Sequence, residues 1–127
     1  MSSMRILYLA THNVKCGIAT YTEQLRNQVG CDHDLAELPV GNLPGLLDSS
    51  LSQFVRKSMR YDVVHIQHEH GLFIGDGDET DAIERFGNLL KQLNSIHVPV
   101  YVTFHSDPVF YTDTPGFSVK TIMKKCL

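Results

Sequence analysis

Four short apolar runs punctuate the chain. Met4–Ala10 (MRILYLA) is nearly continuous and gives way to the polar THN. His33–Val40 (HDLAELPV) is weaker. Tyr61–Gln67 (YDVVHIQ) is β-branched and follows a charged segment, and Val98–Phe104 (VPVYVTF) has the strongest strand character. Near-continuous apolar runs suit strands covered on both faces, as in a parallel sheet. Between them the period changes from two to about 3.6. Ile18, Tyr21, Leu25 and Val29 make one helical face. Leu51, Phe54, Val55 and Met59 make a second, with Ser49 or Ser50 as its expected cap. Ile83, Phe86, Leu89, Leu90 and Leu93 make a third, capped by Asp78 or Thr80 with acids in the first turn. The tail FSVKTIMKKCL has the look of a fourth helix opening near Ser118. Alternation of strands and helices predicts right-handed crossovers. The expected fold class is α/β: a Rossmann-like open parallel sheet with helices on both faces.

Composition narrows the class without changing this picture. At 127 residues the chain is sized for a single domain, 1–127. A hydrophobic share of 43% with 20% charged residues is that of a folded chain rather than a disordered one. The net charge of −3 gives no electrostatic reason to expect nucleic acid as a partner. Cys16, Cys31 and Cys126 are odd in number and contain no CxxC pair, which favours a reducing compartment over a disulfide framework or zinc ribbon. The apolar run at the N-terminus is too short for a signal peptide, and no stretch approaches a transmembrane segment. A cytoplasmic protein is expected.

In an open parallel sheet, ligands sit beyond the carboxyl ends of the strands, at the switch point of the strand order. The loops to inspect are therefore THNVKCG after the first strand, HEHGLFIGDGDET after the third and HSDPVFYTDTPG after the fourth. The first is neither GxGxxG nor a P-loop. Gly17 nevertheless opens a helix and lets a ligand approach free backbone N–H groups. Cys16 shares that position, where a thiol pKa would fall. The C-x5-R of cysteine phosphatases is absent because Thr22 occupies the arginine place. In VVHIQHEHGLF, strand alternation sends His65 and Gln67 to one face and His68 to the other. His68 and His70 have the spacing of a two-imidazole metal site, with Glu69 between them. GDGDETD misses the EF-hand register, since Thr80 stands where the third oxygen ligand belongs. His105, beside Ser106 and Asp107 at the end of the fourth run, suits hydrogen bonding to hydroxyl-rich ligands or acid–base work.

CGIATYTEQL, YDVVHIQHEHGLF and VPVYVTFHSDP, in that order and spacing, resemble the N-terminal, acceptor-side domain of retaining GT-B glycosyltransferases. The likeness runs from Met4 to about Pro108. It implies that Cys16 and Gly17 form the loop lying against the diphosphate of a nucleotide-sugar donor. It implies that His105 contacts the transferred sugar near the reacting carbon. His68, Glu69, His70 and Gly71 would line the acceptor cleft, with Glu69 and His70 as contacts. Such enzymes generally need no bound metal or other cofactor, the nucleotide sugar being a substrate. Asp76-Gly77-Asp78 reads as DxD but lies outside the context of a metal-dependent transferase.

The resemblance covers one half of that architecture. The donor-binding C-terminal domain, which grips the nucleotide, has no counterpart in these 127 residues. Catalysis depends on both substrates held in one closed cleft, so the half-cleft alone is expected to be inactive. The leading expectation is a partial GT-B N-terminal domain with the donor half elsewhere: a fragment, a truncated gene product, or a domain that works with a separate chain carrying that half. Two others stand beside it: a non-catalytic sugar- or nucleotide-binding module or partner subunit, and a metal-dependent hydrolase using His68 and His70.

Overall fold

The computed structural model of the chain describes residues 4–11, 17–39, 45–75, 77–105 and 120–123. Strand β1 (Arg5–Ala10) leads to helix α1 (Gly17–Gln28), β2 (Asp32–Glu37), α2 (Leu46–Ser58) and β3 (Val63–His68). A 3-10 turn (His70–Phe73), helix α3 (Glu79–Ser95), β4 (Val100–Phe104) and β5 (Lys120–Met123) follow. The strands form one sheet in the order β2-β1-β3-β4-β5, and every pairing is parallel. This is a Rossmann-like α/β fold. The order reverses at β1, so the switch point lies between β1 and β3.

The last strand corrects the sequence reading. A helix was expected to open near Ser118, yet Lys120–Met123 pairs with β4, Tyr101 opposite Lys120 and Phe104 opposite Met123. The physical reason is twofold. Val119, Thr121 and Ile122 are β-branched and favour extended backbone. The free edge of β4 supplies the hydrogen bonds that a short helix would have to make for itself. The start of α2 also differs: it begins at Leu46, with Gly45 before it in the left-handed region at φ 76°, so Ser49 and Ser50 lie inside the helix. Helix α3 starts as expected at Asp78. Its carboxylate accepts from the Asp81 N–H at 3.1 Å, and the Asp81 carboxylate accepts from the Asp78 N–H at 2.8 Å.

The two faces of the sheet differ in kind. Leu7, Leu9, Val64, Ile66, Val102 and Phe104 point to the side covered by α2 and α3, where they pack with Leu51, Phe54, Phe86, Leu89 and Leu93 into the apolar core. Their period-two partners, Tyr8, His65, Gln67 and Thr103, point to the other side, toward α1. There polar side chains are buried alongside Tyr8 and Ala10: Gln67 and Thr103 are 0% and 1% exposed. At the amino ends of the strands, Arg5 ties the layers together. Its backbone N–H donates to Asp62 at 2.8 Å and its guanidinium lies over the Tyr61 ring. Among the described residues no helix is long and apolar enough to cross a membrane.

Candidate functional site

The carboxyl ends of β3 and β4 and the first turns of α1 come together. His105 follows β4 directly, and its backbone N–H donates to the His68 carbonyl at 2.7 Å, which extends the β3–β4 ladder by one bond. Its ring stands edge-on to Tyr21 of α1, with centroids 5.3 Å apart. Tyr21 lies one helical turn beyond Gly17, which opens α1. Glu69, next after β3, is close enough for its charge to act on His105. Gly17, Glu69 and His105 thus belong to one end of the sheet, beside the switch point. Cys16, the other half of the expected phosphate loop, lies outside the described residues.

A hydrogen-bonded row leads from His105 into the sheet. His105 Nε2 is 2.7 Å from Gln67 Oε1. Gln67 Nε2 is 3.4 Å from His65 Nε2, and His65 Nε2 is 2.7 Å from Thr103 Oγ1. Register explains the row: Gln67 pairs with Thr103 across β3 and β4, and His65 precedes Gln67 by two on the same face. The Tyr8 ring covers His65 from β1 at 5.4 Å. Burial, helped by the nearby His105 charge, pushes the His65 pKa down to about 4. Burial also lowers His105, and the Glu69 carboxylate partly offsets that. Both rings are therefore neutral at pH 7.

Glu69 has a defined seat. It stands in extended backbone before the 3-10 turn, and its carbonyl accepts from the Leu72 N–H at 3.0 Å. Its carboxylate folds over Gly71, where a Cβ would stand 2.8 Å from Glu69 Oε2. A side chain at position 71 would displace it. The turn beneath is held by Arg85, whose guanidinium donates to the Phe73 and Ile74 carbonyls and pairs with Asp48 at 2.7 Å.

His68 does not belong to this crevice. It was expected with Glu69, His70 and Gly71 in an acceptor cleft, and strand alternation turns it to the opposite face. It is 0% exposed, stacked on Phe73 and packed against Phe86 and Phe104 at centroid distances of 4.4–5.1 Å. An imidazole enclosed by three phenylalanines serves packing, and the pairing of His68 with His70 on a metal loses its first ligand. His70 opens the 3-10 turn, and its side chain lies outside the described residues. Among the described residues no group of three His, Cys, Asp or Glu is arranged to hold a metal ion.

The sequence placed His105, Glu69 and Gly17 after strands, and the structure brings these three to one end of the sheet. Alternation put His65 and Gln67 on one face, which agrees with their bonds on the α1 side of the sheet. The sequence reading missed Tyr21 and Thr103 as neighbours of the site. The available signal was parity: His65, Gln67, Thr103 and His105 sit at odd positions of adjacent strands, so correct register would have put them on one face. No protein-family model matches the chain, and no curated protein matches it either.

Proposed function

We propose that the chain is the acceptor-side domain of a retaining GT-B glycosyltransferase, acting on a nucleotide-sugar donor together with a donor-binding half. What supports this reading most is the placement of His105. It stands at the mouth of a parallel strand, beside the switch point, with Tyr21 of α1 and Glu69 after β3 around it. A half-buried neutral imidazole in that position meets sugar hydroxyls by hydrogen bonding. Gly17 at the start of α1 offers backbone N–H groups to a diphosphate. Cytoplasmic location belongs to the same reading, carried by the cysteine pattern and by the cytosolic supply of nucleotide sugars.

Two measurements test it. Isothermal titration of the chain with UDP- and GDP-sugars should give saturable heat, and no heat with any of them removes the donor-side claim. Mixing or fusing the chain with a donor-binding domain and assaying sugar transfer then separates a transferase half from a binding module. In that assay His105→Ala should abolish turnover while circular dichroism stays unchanged. Full turnover in the variant takes His105 out of the site, and binding without transfer in the wild type favours the module.

A further inference from the structure

The row behind His105 contains an asymmetry that packing alone does not require. Two imidazole nitrogens face one primary amide: the oxygen of Gln67 is 2.7 Å from His105 Nε2, and its nitrogen is 3.4 Å from His65 Nε2. An amide oxygen only accepts and an amide nitrogen only donates. With the oxygen toward His105, Nε2 of His105 must carry a proton. With the nitrogen toward His65, Nε2 of His65 must be bare, and the Thr103 hydroxyl at 2.7 Å donates to the same atom. We infer that Thr103, His65 and Gln67 are positioning residues that fix the proton of His105 on Nε2, leaving Nδ1 as the basic nitrogen of the candidate site.

This deepens the function proposed above and rests on it for the role of His105. The opposite proton order, with the amide reversed, would also satisfy every atom of the row. Surroundings decide between them. Among the described residues, the groups around His105 include Glu69 after β3, Tyr21 on α1, and Gln67 and His65 on β3. Those around His65 are Tyr8 on β1, Thr103 on β4, and Gln67 and His105. His105 is the more exposed ring and has a carboxylate at hand, so it is the one able to accept a proton. With the amide oxygen toward it, His105 keeps its bond to Gln67 in both the neutral and the charged form. The reversed amide would lose that bond whenever His105 is protonated. In the neutral form, a ring with its proton committed to Gln67 accepts a hydrogen bond at Nδ1. The ligand group suited to it is a hydroxyl rather than a phosphate oxygen.

The test is nitrogen-15 NMR of the full chain labelled in histidine, where ring nitrogen shifts report each tautomer. In the wild type, His105 should show its proton on Nε2 and His65 on Nδ1, each favoured about tenfold, the scale of one hydrogen bond gained or lost. The reverse order, or near-equal mixtures, overturns the inference, and this measurement needs no variant. Gln67→Met keeps the length and removes the amide; His105 should relax to a mixture, and an unchanged ring refutes the role of Gln67. Gln67→Glu offers two acceptor oxygens; His65 should move its proton to Nε2 while His105 keeps its own, and a static His65 counts against the row. Adding UDP-glucose or GDP-mannose separates this from the parent proposal. Unperturbed His105 signals would sink the sugar-nucleotide site, and the tautomers of the free chain would stand or fall by themselves.

Discussion

Acidification should weaken this fold before its carboxylates titrate, and His65 is the reason. The ring sits under Tyr8 with Nε2 between Thr103 and Gln67. Burial and the neighbouring His105 lower its pKa from 6.5 to about 4. In the unfolded chain the same imidazole binds a proton near its ordinary value. Between those two values the unfolded state therefore binds more protons than the native one, so stability rises with pH across the window. The contribution is fully present above about 6.5, erodes as pH falls, and is gone below about 4. A proton affinity lowered by two to three decades, at about 1.4 kcal/mol per decade, amounts to about 3 kcal/mol. Burial of His105 acts in the same direction. Set against the roughly 5–15 kcal/mol of an ordinary domain, that is a large fraction. Asp78, whose pKa its helix-cap bonds depress, loses its contribution only at lower pH and does not obscure the window.

Urea unfolding followed by far-ultraviolet circular dichroism, at about pH 7.5 and at about pH 4.5, reads this directly through the linkage between proton binding and stability. The wild type should lose a few kcal/mol between the two, with most of the fall below about pH 6.5. His65→Gln removes the titrating group, and its stability should vary with pH by about 3 kcal/mol less, whatever its absolute value. A wild type equally stable at both pH values, or a His65→Gln profile as steep as the wild type's, would refute the reasoning.

Three further outcomes follow from the packing. Phe86→Ala opens the cluster around His68 and should cost about 3–5 kcal/mol in the same urea assay, because Phe86 is fully buried against Phe73, His68 and Phe104. Gly71→Ala should push the Glu69 carboxylate away from its seat; the His105 pKa then falls further below its ordinary value in an NMR titration, and an unchanged pKa would mean that Glu69 acts from elsewhere. Arg85→Lys cannot reach Asp48 and two carbonyls together, so amide exchange at Leu72 and Gly77 should quicken while the α1 side of the sheet stays protected.

Much of the architecture was legible in the pattern of apolar positions. The runs around Leu7, Val64 and Val102 read as buried parallel strands because both faces are covered, and the spacing of Phe86, Leu89 and Leu93 read as a helix because one face is. Most boundaries moved by a residue or two, the start of α2 and the end of β2 by more. Asp78 could be recognised as a cap because capping is local chemistry. The strand at Lys120–Met123 escaped notice because four residues are too few for a period, and their state is decided by an open edge on β4 rather than by their own preference. Ser49 and Ser50 looked like caps for the same kind of reason: a serine is a good N-cap wherever a helix starts, and Gly45 set the start elsewhere.

The site divides along the same line. The strand-end positions of Glu69 and His105 could be read one at a time, since a polar residue just past an apolar strand is visible in a single segment. The row that prepares His105 could not, since it exists only when Gln67 comes to lie opposite Thr103. A slip of one residue in that pairing would turn Gln67 and His65 into the apolar core and bring Ile66 and His68 out under α1. What forbids the slip is the other face: His68 fills the space among Phe73, Phe86 and Phe104, and Ile66 is fully buried. The aromatic packing on the α3 side thus holds the register that aligns the polar groups on the α1 side. A histidine whose ring packs on the opposite face of the sheet thereby helps to keep the candidate site assembled.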